Sequence, residues 1–130
     1  MTRPASLGST LRQVAYISLA VGGLLSTQSA NFAFVQASGG GFDIADFIRQ
    51  AGANDAARSL SYDLLFGSTA VVIWMEAERR RLKLRHGLWP ILLSMSVAFA
   101  FGVPLFLLLR ERHLHAEDIT RAEANLGATG

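Results

Sequence analysis

The chain has 130 residues, a formal charge of +2 at pH 7, a pI near 9.7 and no cysteine. That is enough for one domain, and the missing cysteines exclude a disulfide framework and a thiolate site for zinc or an iron–sulfur cluster. Hydrophobic residues make up 51% and charged residues 17%, against the roughly 25% charged in an average soluble domain.

Position is more telling than composition. No charged residue falls within 13–35, 64–75 or 87–109, whereas a helix in water keeps one face charged or polar. The pattern predicts an all-α integral membrane bundle of three transmembrane helices, with a short interfacial helix in the first loop. Residues 1–12 are expected to be a cytoplasmic N-terminus, 13–112 the transmembrane domain and 113–130 a polar tail.

Arg3 and Arg12 ahead of an apolar run resemble a signal peptide, and Ser26, Thr27, Ser29 and Ala30 offer small residues for cleavage. Apolar character resumes at Phe32, which favours a retained first helix. That span, about 13–35, is long enough at 1.5 Å per residue for a hydrocarbon core of about 30 Å. Its second half carries Ser26, Thr27, Gln28, Ser29 and Asn31, which must face other helices or the interface. Gly39, Gly40 and Gly41 then break the chain. An interfacial helix at about 43–50 follows, capped by Asp43 and presenting Ile44, Phe47 and Ile48 on one face.

Gly52 ends that helix and Asn54 or Asp55 caps the next, whose span is expected at about 58–78. The third span, about 88–109, opens on Trp89 and Pro90 and is expected to kink at Pro104. Beyond it a short helical extension should fade out. Arg79, Arg80, Arg81, Lys83 and Arg85 form a basic loop between the second and third spans. Such a loop is a topology determinant that touches anionic lipid head groups, and its position argues against nucleic acid as the partner. It is expected to be cytoplasmic, on the bacterial inner membrane, with the N-terminus on the same side and the C-terminus on the periplasmic or extracellular side.

Small residues recur at a spacing of four: Ser18, Gly22 and Ser26 in the first span, Gly67 in the second, and Ser94, Ala98 and Gly102 in the third. Such stripes let helix backbones approach closely in lipid. Asp63 lies inside an apolar region, where an ionisable group should point inward and find a partner. Gln28, Asn31 and Arg110 are placed to complete a polar cluster with it. That cluster reads either as a binding or proton-handling site or as a clasp fixing helix register. Glu76 and Arg80 form an i,i+4 pair in the favourable order. His86, His113 and His115 lie outside the spans, so no axial haem ligand stands out, and two histidines in a tail are a poor metal site.

The quoted residues resemble a bacterial membrane family catalogued as domain of unknown function 2834. The resemblance rests on Gly41-Phe42-Asp43 with Phe47, on Asn54 ahead of Tyr62-Asp63-Leu64-Leu65, and on Glu78-Arg79-Arg80. It continues through Pro104-Leu105-Phe106 to Leu109-Arg110-Glu111-Arg112. The stretch from Gln28 to Ala30 departs from that family, in which a proline is common near the end of the first span. The resemblance implies a small helical membrane protein and assigns it no activity.

Two functions are therefore expected. The first is a non-catalytic accessory or packing subunit of a larger membrane complex, respiratory or photosynthetic, with membrane lipids and other subunits or a second copy as partners. No cofactor is expected of the chain itself, and a lipid or pigment would be shared with partners. The alternative is a membrane enzyme or carrier for a lipid or isoprenoid, with Asp63 in its site.

Overall fold

The computed structural model describes residues 7–127, which fold into five helices. They are α1 (Leu7–Ala37), α2 (Ile44–Ala51), α3 (Asp55–Arg81), α4 (Leu88–Ser96) and α5 (Phe99–Gly127). Arg3 and residues 128–130 lie outside the described part.

The expected caps are present. The Asp43 carboxylate accepts from the amides of Ala45 and Asp46 at 2.9 and 3.1 Å and opens α2. Gly52 closes that helix, and Asn54 Oδ1 accepts from the Ala57 amide at 2.8 Å at the start of α3. Gly39 and Gly40 take positive φ values of 81° and 103°, which lets the chain turn back after α1. Phe34, Phe42 and Phe47 then meet with ring centroids 5.3–5.4 Å apart and fasten α2 to the end of α1. Ile44 and Ile48, expected to share a face with Phe47, are about two-thirds exposed.

The largest departure lies in the third apolar stretch, which is two helices and not one straight span. The Val97 and Ala98 amides both bond to Leu93 O, at 3.0 and 3.1 Å, and α5 opens immediately on Ala98 O. The hydroxyls of Ser94 and Ser96 donate to Pro90 O and Leu92 O at 2.8 and 2.7 Å. Such back-bonding bends helices, and a β-branched Val97 follows directly. α5 then folds back on α4. A Cβ added at Gly102 would lie 2.5 Å from both Pro90 O and Ser94 N, so only glycine permits this approach. Pro104 sits inside α5 without interrupting it, and the helix continues to Gly127 instead of fading after the apolar stretch.

α5 is the axis of the bundle. It runs antiparallel to α1, with Gly23 against Ala100 at one level and Arg12 against Glu111 eleven residues further along each helix. It runs parallel to α3, with Trp74 against Phe106 (centroids 5.9 Å apart) and Glu78 against Arg110. The core is small: Met75, Leu84, Ile91 and Phe106 are buried together, with Val71, Val72, Leu82 and Val103 packed around them.

Among the described residues no helix is both long and apolar enough to cross a membrane. α1 and α3 are long, but polar groups dilute them, and the most apolar stretch is divided at Val97. At 1.5 Å per residue, the nine residues of α4 extend only about 13 Å.

Candidate functional site

Three segments distant in sequence converge at one end of the bundle: the start of α1, the turn from α3 to α4, and the middle of α5. Carboxylates organise them. Glu76 accepts from Arg79 at 2.7 and 2.8 Å and from Arg80 at 2.6 Å, as the i,i+4 spacing suggested. Glu78 is buried and accepts from Arg81 at 2.6 and 2.7 Å and from Arg110 at 2.7 Å. Glu111 accepts from Arg12 at 2.6 and 3.1 Å. That hydrogen bond, helped by one from Ser9, holds the Glu111 carboxyl below its ordinary 4.5 against the opposing effect of burial.

Between α3 and α4 the chain closes α3 with a pair of crossed bonds. The Leu84 amide donates to Arg79 O at 3.0 Å and the Lys83 amide to Arg80 O at 3.3 Å. This Schellman arrangement requires a left-handed residue, and Lys83 supplies it at φ 52° where glycine is usual. Gly87 tucks the loop against Arg79, whose Cγ would be 2.8 Å from an added Cβ. The loop and α5 leave a cleft of about 330 Å³ between them, lined by Lys83, Leu84, Arg85, His86, Leu109 and His113.

The residues expected to form a polar cluster are not brought together. Asn31 donates to Gln28 at 3.1 Å within α1. Asp63 is exposed, and among the described residues its side chain has no hydrogen-bond or ion-pair partner. Arg110 is held by Glu78, fifteen residues along α3 from Asp63, or about 22 Å of helix. The expected cluster assumed that a straight third span ends at the level of Asp63, and the fold-back at Val97 carries Arg110 to the opposite end.

The small-residue stripes divide in the same way. Ser94, Ala98 and Gly102 are buried, but as facing sides of the α4–α5 hairpin and not as one stripe. Ser18, Gly22 and Ser26 are exposed, and nothing lies within 4 Å of a Cβ added at Gly22 or Gly67. The contact face of α1 is one position over, at buried Ala20 and at Gly23, where an added Cβ would be 2.7 Å from the Ala100 carbonyl carbon. Gly23 did not stand out in the sequence, and Glu78 stood out only beside the arginines that follow it and not as the partner of Arg110. Ala20 and Gly23 are an i,i+3 small pair adjacent to the stripe chosen, so the signal was present but ambiguous by one residue.

Among the described residues no group of three or more histidine, aspartate or glutamate side chains could hold a metal ion. His113 Nε2 is buried 3.4 Å from Glu117 Oε1 without the alignment of a hydrogen bond.

An all-helical bundle without strands among its described residues is the class this fold defines. A family model described as protein of unknown function DUF2834 matches residues 15–112, and the chain belongs to that family. No curated protein and no solved structure matches the chain.

Proposed function

We propose that this chain is a membrane-embedded, non-catalytic packing subunit of a larger membrane assembly. The observation that carries the proposal is its inverted exterior. Among the described residues, 24 large hydrophobic side chains are exposed and only seven apolar ones are buried. Ile17, Val21, Leu25, Phe66, Ile73 and Met95 are each 44% or more exposed, and they lie within the uncharged stretches of α1, α3 and α4. A monomer in water does not present such a belt, whereas lipid or partner helices would cover it. The joint outer surface is what supports a membrane reading, since no single helix among the described residues satisfies a span.

In this arrangement α1 and α3 cross, and the α4–α5 hairpin enters and leaves on the side of the basic loop. The contacts Arg12–Glu111 and Glu78–Arg110 support it, since they bring the start of α1, the end of α3 and the middle of α5 to one end. Irregular backbone at depth is tolerated where protein buries it, and Ala98 at the hairpin turn is buried. This differs from three crossings, which place the tail on the side opposite the basic loop. The exposed, unpartnered Asp63 gives a lipid-processing site little support.

Alkaline extraction of membranes followed by native mass measurement in mild detergent tests the proposal. Retention in the pellet and a complex containing other subunits or further copies are expected. Release into the supernatant would refute membrane residence, and a strict monomer turning over a lipid would refute the packing role.

A further inference from the structure

The five cations of the basic loop are not equivalent. Glu76 engages Arg79 and Arg80, and Glu78 engages Arg81 together with Arg110. Among the described residues only Lys83 and Arg85 of the five have no carboxylate partner, and these two line the cleft between the loop and α5. A cation paired with a carboxylate has much of its field cancelled, so Lys83 and Arg85 are the loop cations left to act at that opening, while Glu117 and Asp118 of α5 lie with Lys83 along a neighbouring depression and do not pair with it.

Lys83 carries a second signal. A left-handed backbone disfavours an L-residue relative to glycine, and the Schellman turn here would accept glycine without change. Strain of this kind, retained beside a cleft, points toward a ligand that uses the side chain. The cleft itself is two-natured. It is lined by the cations Lys83 and Arg85, by His86 and His113, and by the apolar Leu84 and Leu109. An inorganic anion would leave the two leucines unused.

We propose that this cleft binds the phosphate group of an anionic phospholipid, with Lys83 and Arg85 on the phosphodiester and the glycerol and upper acyl chain against Leu84 and Leu109. The inference rests on the membrane reading above. Lysine and arginine near a membrane surface each contribute about 1 kcal/mol toward anionic lipid, so removing either should weaken binding about fivefold.

The test uses the full chain, purified in maltoside micelles doped with phosphatidylglycerol or phosphatidylcholine, with bound lipid counted by native mass spectrometry. Selective retention of phosphatidylglycerol is expected, and both Lys83→Gly and Arg85→Gln should weaken it about fivefold. Arg112→Gln, an exposed cation outside the cleft, changes net charge equally and should leave retention within about twofold. Lys83→Gly should also melt roughly 4 °C higher as the left-handed strain is relieved, so a loss of lipid cannot be ascribed to unfolding. Equal retention of both lipids, equal loss in Arg112→Gln, or displacement by millimolar inorganic phosphate would each overturn the inference. Incorporation into neutral phosphatidylcholine vesicles is measured alongside. Incorporation without head-group preference defeats only the inference, while failure to incorporate defeats the membrane reading.

Discussion

Two adjacent glycines have opposite roles. Gly22 faces open space, whereas Gly23 is where the α1 backbone meets Ala100 of α5. Replacing Gly23 with alanine must move one backbone, and overpacking of this kind typically costs about 1–3 kcal/mol. The same change at Gly22 meets nothing and gains helix propensity, up to about 1 kcal/mol. Thermal unfolding followed by circular dichroism in detergent should therefore lower the melting point of Gly23→Ala and leave that of Gly22→Ala unchanged or raised. Asp63 and Glu78 make a second contrast. Glu78 is buried and holds two guanidinium groups, so Glu78→Gln should cost about 1.5–3 kcal/mol, the range for hydrogen bonds to charged groups. Asp63 is exposed and makes no side-chain hydrogen bond or ion pair among the described residues, so Asp63→Asn should stay within about 0.5 kcal/mol of the parent.

At the level of helices, α1 meets α5 through a narrow seam of small residues in the middle and one ion pair near the end. The Arg12–Glu111 pair is half exposed on the arginine side, so water screens it and its contribution to stability is modest. Its pH dependence has a definite sign. The folded Glu111 carboxyl lies below its ordinary value, so the pair's stabilisation is fully present above about 4.5 and is lost as the pH falls through the lowered value. As the pH falls below about 4.5 the parent should lose more stability than Glu111→Gln. Parallel acid titrations of the melting temperature measure this, and identical slopes would contradict it. The α4–α5 hairpin depends on a different feature, the close approach at Gly102. Its fold-back was hidden in the sequence because a spacing of four small residues reads equally well as a stripe on one helix or as two walls meeting across a turn. Only the Ser94, Ser96 and Val97 run hinted at a break, and serine back-bonding bends helices without fixing where the chain goes next.

For the molecule as a whole, the hairpin decides which topology the proposed membrane arrangement predicts. If α4 and α5 enter and leave together as proposed, a reporter fused after Gly127 should lie on the same side of the membrane as one inserted at His86. A reporter inserted at Gly40 should lie on the other side. Three full crossings would instead separate the Gly127 and His86 reporters. Paired alkaline phosphatase and green fluorescent protein fusions at the three positions distinguish the two arrangements.

The basic loop illustrates how sequence and tertiary structure divide the information. Local chemistry was readable: the caps at Asp43, Gly52 and Asn54, the Glu76–Arg80 pair and the all-helical class all depend on residues a few positions apart. The family was readable from scattered short motifs for the same reason. The pairs that cancel Arg79, Arg80 and Arg81 are equally local, from Glu76 and Glu78 three or four positions away. What tertiary structure alone decided is where Arg110 and Arg12 are held, because Glu78 meets Arg110 across 32 positions and Glu111 meets Arg12 across 99. Such pairings depend on where a chain reverses, and the reversal at Val97–Ala98 is made by packing at Gly102 and not by any local stop signal. The sequence by itself determined the helical class, the local caps and the apolar stretches. The folding back of α5 on α4 determined that Lys83 and Arg85 face a cleft against α5, that Arg110 meets Glu78 and that Asp63 stands apart from both.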